Sequence, residues 1–217
     1  MKLVFSFDDG DQLDVTKMAP LLEKYGYHAM FYVPSYFNGK NTLSPLELKQ
    51  LISKGHQIGG HTKTHPQDLK LLCCDKLKAQ IEDNKEWLEQ VTGFHVESFC
   101  YPRGRYNQET IQRVRDAGFK EARTTVVGQI HTGFDAYKMP TTVHIFQREE
   151  YDGVPLLQYF KQCLADAEAM DLVDSQQEGY MHIWGHSAEI ERESLWDTFE
   201  EMLKILRSKN YEDIYTK

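Results

Sequence analysis

Runs with the character of buried strands alternate with runs of helical period from one end of this chain to the other, and that alternation constrains its fold most tightly. Lys2 to Asp8 is rich in β-branched and aromatic residues and reads as a first strand. Helical periodicity follows over Met18–Tyr25, closing at Gly26, and Ala29–Val33 is a second strand. Ser44-Pro-Leu-Glu47 is a helix start with an N-cap serine, a proline in the first turn and a glutamate three residues on. That helix runs to Lys54 and stops at Gly55, before a third strand over Gln57–Gly60. Further helices are expected over Lys76–Thr92, Gln108–Ala117, Pro155–Met170 and Arg192–Ser208. Further strands are expected over Ser98–Tyr101, Lys120–Thr125, Lys138–Ile145 (interrupted by Pro140) and Tyr180–Trp184.

Regular βα alternation implies a parallel sheet with helices outside it. An open doubly wound sheet binds ligands at one switch point. Here the chemistry-bearing residues follow four separated strands: Asp8 and Asp9, His61, Pro102 to Gly104, and His186. Strand ends from four places meet at the C-terminal rim of a barrel. The expected fold is therefore α/β: a distorted (β/α) barrel of seven or eight strands, TIM-barrel-like, in a single domain over residues 1–217.

Composition narrows the partners. A formal net charge of −8 argues against nucleic acid and anionic membrane surfaces. No run approaches the roughly 20 apolar residues of a membrane span. The apolar stretch at the N-terminus is too short for a signal-peptide core, which points to a cytoplasmic address. Cys73, Cys74, Cys100 and Cys163 show no metal-binding spacing and read as free thiols.

Two like charges side by side at a strand end are unfavourable unless a cation or a proton separates them. His61-Thr-Lys-Thr-His65 supplies two imidazoles, which share one side if the segment makes a helical turn before Pro66. One aspartate and two histidines leave a coordination position open for water, with the second aspartate spare. His182 and His186 share a face of the last strand; His186 follows the strand, and Gly185 permits close approach.

These segments, in this order, resemble the polysaccharide deacetylases, carbohydrate esterase family four, the NodB-homology group. Ser6-Phe-Asp-Asp-Gly10 resembles the motif T-F-D-D-G, and His61 to His65 resembles H-[ST]-x-x-[HD]. Cys100-Tyr-Pro-Arg-Gly104 stands where R-x-P-x-G belongs, and Trp184-Gly-His186 where L-x-H belongs. The resemblance implies one divalent metal held by Asp9, His61 and His65. Zinc is the first expectation, while cobalt, nickel, iron and manganese also suit nitrogen and oxygen donors. It implies Asp8 as general base toward metal-activated water and His186 as general acid for the departing amine. The backbone N–H of Arg103 would meet the oxyanion, with Tyr101 and Trp184 also at the substrate.

The departures matter too. Cys100 replaces the arginine that orients the catalytic aspartate, leaving Arg103, Arg105 or Arg123 to do so, with Arg123 preferred at its strand end. The aspartate–tryptophan pair that tunes the last histidine is not recognisable, and Asp135 is the nearest candidate. The expected activity is removal of an acetyl group from an N-acetylated sugar or oligosaccharide. The alternatives are hydrolysis of a non-sugar linear or cyclic amide, a glycan-binding pseudoenzyme, and a non-haem iron oxygenase built on two histidines and a carboxylate.

Overall fold

The computed structural model describes residues 1–37, 40–173 and 177–216. Its centre is a curled seven-stranded sheet, every pairing parallel, as the alternation predicted. The strands are β1 (Lys2–Asp8), β2 (Met30–Val33), β5 (Gln57–Gly60), β6 (Ser98–Cys100), β7 (Glu121–Arg123), β8 (Val143–His144) and β9 (Tyr180–Gly185), in the order β7-β6-β5-β2-β1-β9-β8. A small antiparallel hairpin, β3 (Tyr36–Phe37) with β4 (Lys40–Asn41), rises after β2. Residues between β7 and β8 partly bridge the open side: Met139 pairs with Arg123, and the Thr142 N–H bonds to the His182 carbonyl.

Side-chain alternation along each strand sorts the residues into two environments. Leu3, Phe5, Phe7, Phe31, Phe99, Ala122, Met181 and Ile183 belong to the main apolar core, packed against the helices. Their neighbours Ser6, Asp8, Tyr32, Ser98, Cys100, Arg123, His182 and Trp184 are also buried, and they fill the sheet's concave side. Barrel interiors are usually filled by branched aliphatics. This one is polar, so its groups must satisfy one another.

The helices are α1 (Ala19–Lys24), α2 (Pro45–Ser53), α3 (Cys74–Thr92), α4 (Gln108–Asp116), α5 (Leu156–Val173), α6 (Ser187–Arg192) and α7 (Trp196–Ser208). The expected capping box opens α2, and left-handed Gly93 closes α3. Three expectations change. A π-turn over Asp14–Met18 precedes α1, so helical structure begins earlier than Met18. The last helix is two, because Ser194 takes a left-handed conformation between α6 and α7. Of Lys138–Ile145 only Val143–His144 is strand; Lys138 ends a 3-10 turn, and Pro140 cannot donate to a ladder.

His182 is the hub of the polar interior. The Tyr180 hydroxyl donates to the Pro140 carbonyl at 3.1 Å and takes the proton of His182 Nδ1 at 2.8 Å. His182 Nε2 therefore accepts from the Ser6 hydroxyl at 2.7 Å. Burial, with the Arg123 charge behind it, pushes this imidazole down to about 3. Native His182 stays neutral while the unfolded chain protonates it below about pH 6.5, so acidification favours unfolding. Between pH 6.5 and 4.5 the unfolding free energy of wild type should fall more steeply than that of His182→Asn, by roughly 2–3 kcal/mol in total. Buried Asp14, whose carboxyl is raised, acts in the opposite direction in both proteins and cancels in the difference. Equal slopes in urea melts across that window would refute the assignment.

Candidate active site

β1 ends in Asp8 and in Asp9, which takes a left-handed backbone with φ of 77° and bonds through its N–H to the Tyr32 carbonyl. That turn breaks the strand's alternation, so both carboxylates face the C-terminal mouth. Gly10 is also left-handed, and a Cβ there would meet Val33 Cγ1 at 2.9 Å.

Asp9 Oδ1 lies 3.5 Å from His61 Nε2 and 3.5 Å from His65 Nε2. The expected helical turn does not bring the two imidazoles together. Thr62 and His65 are left-handed, and the segment is pinned from both sides. Tyr36 N–H bonds to the Lys63 carbonyl, and Gln80 on α3 bonds to Thr64. Asn84, also on α3, accepts from the His61 N–H at 2.9 Å and donates to the Val33 carbonyl and the Ser35 hydroxyl. The Phe37 ring stands edge-on to His65. Asn84 was not singled out in the sequence, because a polar residue inside an amphipathic helix carries no mark of burial.

His61 Nδ1–H donates to the Cys100 carbonyl at 2.8 Å, which leaves Nε2 with its lone pair toward Asp9. Burial opposes charge on His61, but Cys100, Asp9 and Asp8 outweigh it and raise the ring. Burial and the adjacent His61 push His65 down to about 4. Asp9 Oδ1 is buried without a hydrogen-bond donor. Tetrahedral coordination with bonds of about 2.1 Å separates ligand atoms by about 3.4 Å. The 3.5 Å spacings and the undonated oxygen fit one small divalent cation.

Asp8, 2% exposed, accepts from Arg123 Nη2 at both carboxylate oxygens. Arg123 is fully buried, 4.5 Å from the Trp184 ring and 5.2 Å from Tyr32. Burial alone would raise the Asp8 carboxyl, but Arg123, then His61 and His186, hold it well below the usual range. Cys100 Sγ lies 3.6 Å from Asp8 Oδ2. The guanidinium missing from the third motif thus arrives from the neighbouring strand, one register row across, since Cys100 pairs with Arg123. Arg105 instead pairs with Asp68 and Gln67. Arg103, left-handed, lines the mouth.

His186 caps α6 and places Nε2 4.0 Å from Asp8 Oδ2 and 3.9 Å from Asp9 Oδ2. Its Nδ1 lies 3.2 Å from Glu189 Oε2, which is also 3.0 Å from His144 Nε2. An Arg148 N–H points at His144 Nδ1, so the proton of that ring sits on Nε2, toward Glu189. Burial opposes a charge on His186, and Glu189, Asp8 and Asp9 together raise it. Burial lowers His144 to about 4. Glu189 and His144 are the site residues that sequence reasoning missed. The available signal was an acid in the first turn of a helix, three residues after the histidine.

Two expected positions change. Tyr101 is fully buried in the outer core, stacked on Tyr106 and bonded to the Tyr137 carbonyl, so its ring does not reach the substrate. Asp135 caps a distant 3-10 turn near Arg115 and Lys138, away from His186. Trp184 does line the mouth, stacked on His144 with its Nε1 unbonded. The enclosed space is about 480 Å³, floored by Asp8, Asp9, His61 and His65.

The curled parallel sheet thus carries a carboxylate, imidazole and guanidinium cluster at its C-terminal mouth. The chain belongs to the polysaccharide deacetylase family, whose sequence pattern it matches over residues 2–122. It is 28% identical over 127 residues to the putative polysaccharide deacetylase YxkH of Bacillus subtilis, covering 58% of this chain and 45% of that one. The chain spans less than half the length of YxkH. A solved peptidoglycan N-acetylglucosamine deacetylase in complex with 4-naphthalen-1-yl-N-oxidanyl-benzamide superposes with a TM-score of 0.66 at 19% identity, over 98% of this chain and 85% of that one. A pseudoenzyme of the same esterase family from Bacillus anthracis superposes at 0.65 and 14% identity, over 98% of this chain and 63% of that one. The sequence match stops one residue short of Arg123, so Arg123, His144, His186 and Glu189 all lie beyond it.

Proposed function

We propose that this chain is a divalent-metal hydrolase that removes acetyl groups from N-acetylated sugars or short oligosaccharides. The observation that carries this reading is the undonated Asp9 Oδ1, equidistant from two imidazole nitrogens, with a second carboxylate beside it paired to Arg123. Asp9, His61 and His65 would hold the cation, zinc first, and when bound it would supply Lewis acidity to an amide carbonyl and acidify water.

Asp8 accepts the proton of the attacking water. Its pairing with Arg123 keeps it ionised and aimed, and also makes it a weak base, so the water must already be acidified. The Arg103 N–H meets the developing oxyanion. His186 Nε2, 4.0 Å from Asp8 Oδ2, delivers a proton to the departing nitrogen after Asp8 has taken one from the water. Glu189, backed by His144, holds His186 Nδ1 and so fixes which nitrogen faces the substrate. Trp184 walls the acyl group. The filled guanidinium position favours an enzyme over a pseudoenzyme, and Asp8 has no use in an oxygenase.

The thiols of Cys73, Cys74, Cys100 and Cys163 are free, which supports a reducing compartment and a small or oligomeric substrate. Among the described residues no helix is long and apolar enough to cross a membrane.

The test is acetate release from a panel of N-acetylglucosamine oligomers, alongside linear and cyclic amides. Chelation should abolish release, and one equivalent of zinc per chain should restore it. Release from the cyclic or linear amides alone would move the assignment to a non-sugar amidase. No turnover of any amide by metal-loaded protein would overturn it.

A further inference from the structure

The opposite mouth of the barrel holds a second cavity that the reaction does not use. Strand alternation in β7 sends Arg123 toward the catalytic end and Glu121, two residues earlier and on the same face, toward the N-terminal end. Glu121 faces a space of about 470 Å³ walled by Tyr32, Phe134, Tyr180, His182 and Tyr215. That volume lies within the range of roughly 300–1,000 Å³ for small-molecule sites. The lining holds four phenyl or phenol rings, aliphatic residues such as Val4, Met139 and Ile214, and this one carboxylate.

Among the described residues Glu121 has no ion-pair partner, and the Ser98 hydroxyl acts to lower its carboxyl. The rim lysine, Lys2, is turned to Glu178 at 3.7 Å. Burial raises the Glu121 carboxyl, and the hydroxyls of Tyr32, Tyr180 and Tyr215 are each raised by burial and then by the Glu121 charge. The carboxylate and these three tyrosines line one cavity. Phe134 stands edge-on to Tyr180 at 4.9 Å, which adds a further ring at the loop side.

We propose that this N-terminal mouth is a second binding site, for an organic ammonium ion carrying a flat apolar body. A single carboxylate is too few donors for a divalent cation, which takes six or more oxygens when hard. It repels anions. Ring faces attract cations and also bury apolar surface, so one ligand with both features uses the whole cavity.

Binding is measurable without turnover, so the outcome is independent of the deacetylase reading. Benzylammonium chloride is titrated into the full chain with ¹³C-labelled tyrosine rings, against the neutral isostere benzyl alcohol. Expected are saturable one-to-one binding, shifts confined to the resonances of Tyr32, Tyr180 and Tyr215, and at least about tenfold weaker binding of the alcohol. Glu121→Gln should remove that preference while Phe134→Ala weakens both ligands. If Glu121→Gln does not fold, the tyrosine shifts in wild type and the Phe134→Ala variant still decide the matter. Equal affinity for the two probes, no shift at those tyrosines, or unchanged binding in Phe134→Ala would each overturn the proposal.

Discussion

Asp8→Asn should lower turnover on an N-acetylated oligosaccharide by roughly 10²–10⁴-fold, the usual contribution of a positioned general base. Metal content should stay at one ion per chain, because Asp9, His61 and His65 are untouched. The split between the two readouts is informative. A ligand variant such as His65→Ala would lose metal and activity together, whereas a base variant keeps the ion and loses the rate. The amide is close in shape to the carboxylate and leaves Cys100 and His186 as neighbours. KM should change little, since in the proposed reaction the acetamide carbonyl would be recognised by groups other than Asp8. Acetate release and metal analysis on the same preparation check the result, and full turnover with bound metal would remove Asp8 from the chemistry.

The barrel was readable because its signals are local. Each strand is a short run whose alternate residues face different layers, and each helix is bounded by caps or glycines that act within a few residues, as at Ser44, Gly55 and Gly93. Asp8, Asp9, His61, His65 and His186 were visible for a related reason: each sits at the end of such a run. What was hidden depends on register and on chain reversals. Arg123 was the preferred arginine from its place at a strand end, but its reach to Asp8 rests on β6 and β7 pairing Cys100 with Arg123, which no local pattern states. Glu189 meets His144 across elements more than forty residues apart. Asn84 looks like any polar residue of α3, yet it holds the His61 backbone. Among the local inferences that changed, the helical turn from His61 to His65 was a spacing argument. Four-residue spacing fits a helix, but left-handed residues pinned by a hairpin and a helix bring the same rings together.

Arg123→Met should destabilise the metal-free protein by about 3–5 kcal/mol, the range for removing one partner of a buried ion pair. Asp8 would be left charged, 2% exposed and without its guanidinium, and Tyr32 and Trp184 would lose the cation held between them. Methionine roughly retains the apolar stem, so most of the loss comes from the stranded charge. A thermodynamic cycle separates this from packing. Adding Asp8→Asn to Arg123→Met removes the stranded charge, so the double variant should regain much of the stability lost, with a coupling energy on the order of 1–3 kcal/mol. Turnover should stay low in both, because the base is unaimed in the first and absent in the second. Lysine at position 123 separates charge from shape: it restores a cation, but its one nitrogen cannot meet Asp8 and also keep the Nη1 bond to the Thr124 carbonyl that fixes the guanidinium. Arg123→Lys should therefore recover stability more than rate. Additive losses in urea melts of the two single variants would show that Asp8 and Arg123 are neighbours without being partners. The displaced arginine would then be incidental to a site that must keep its base ionised by some other means.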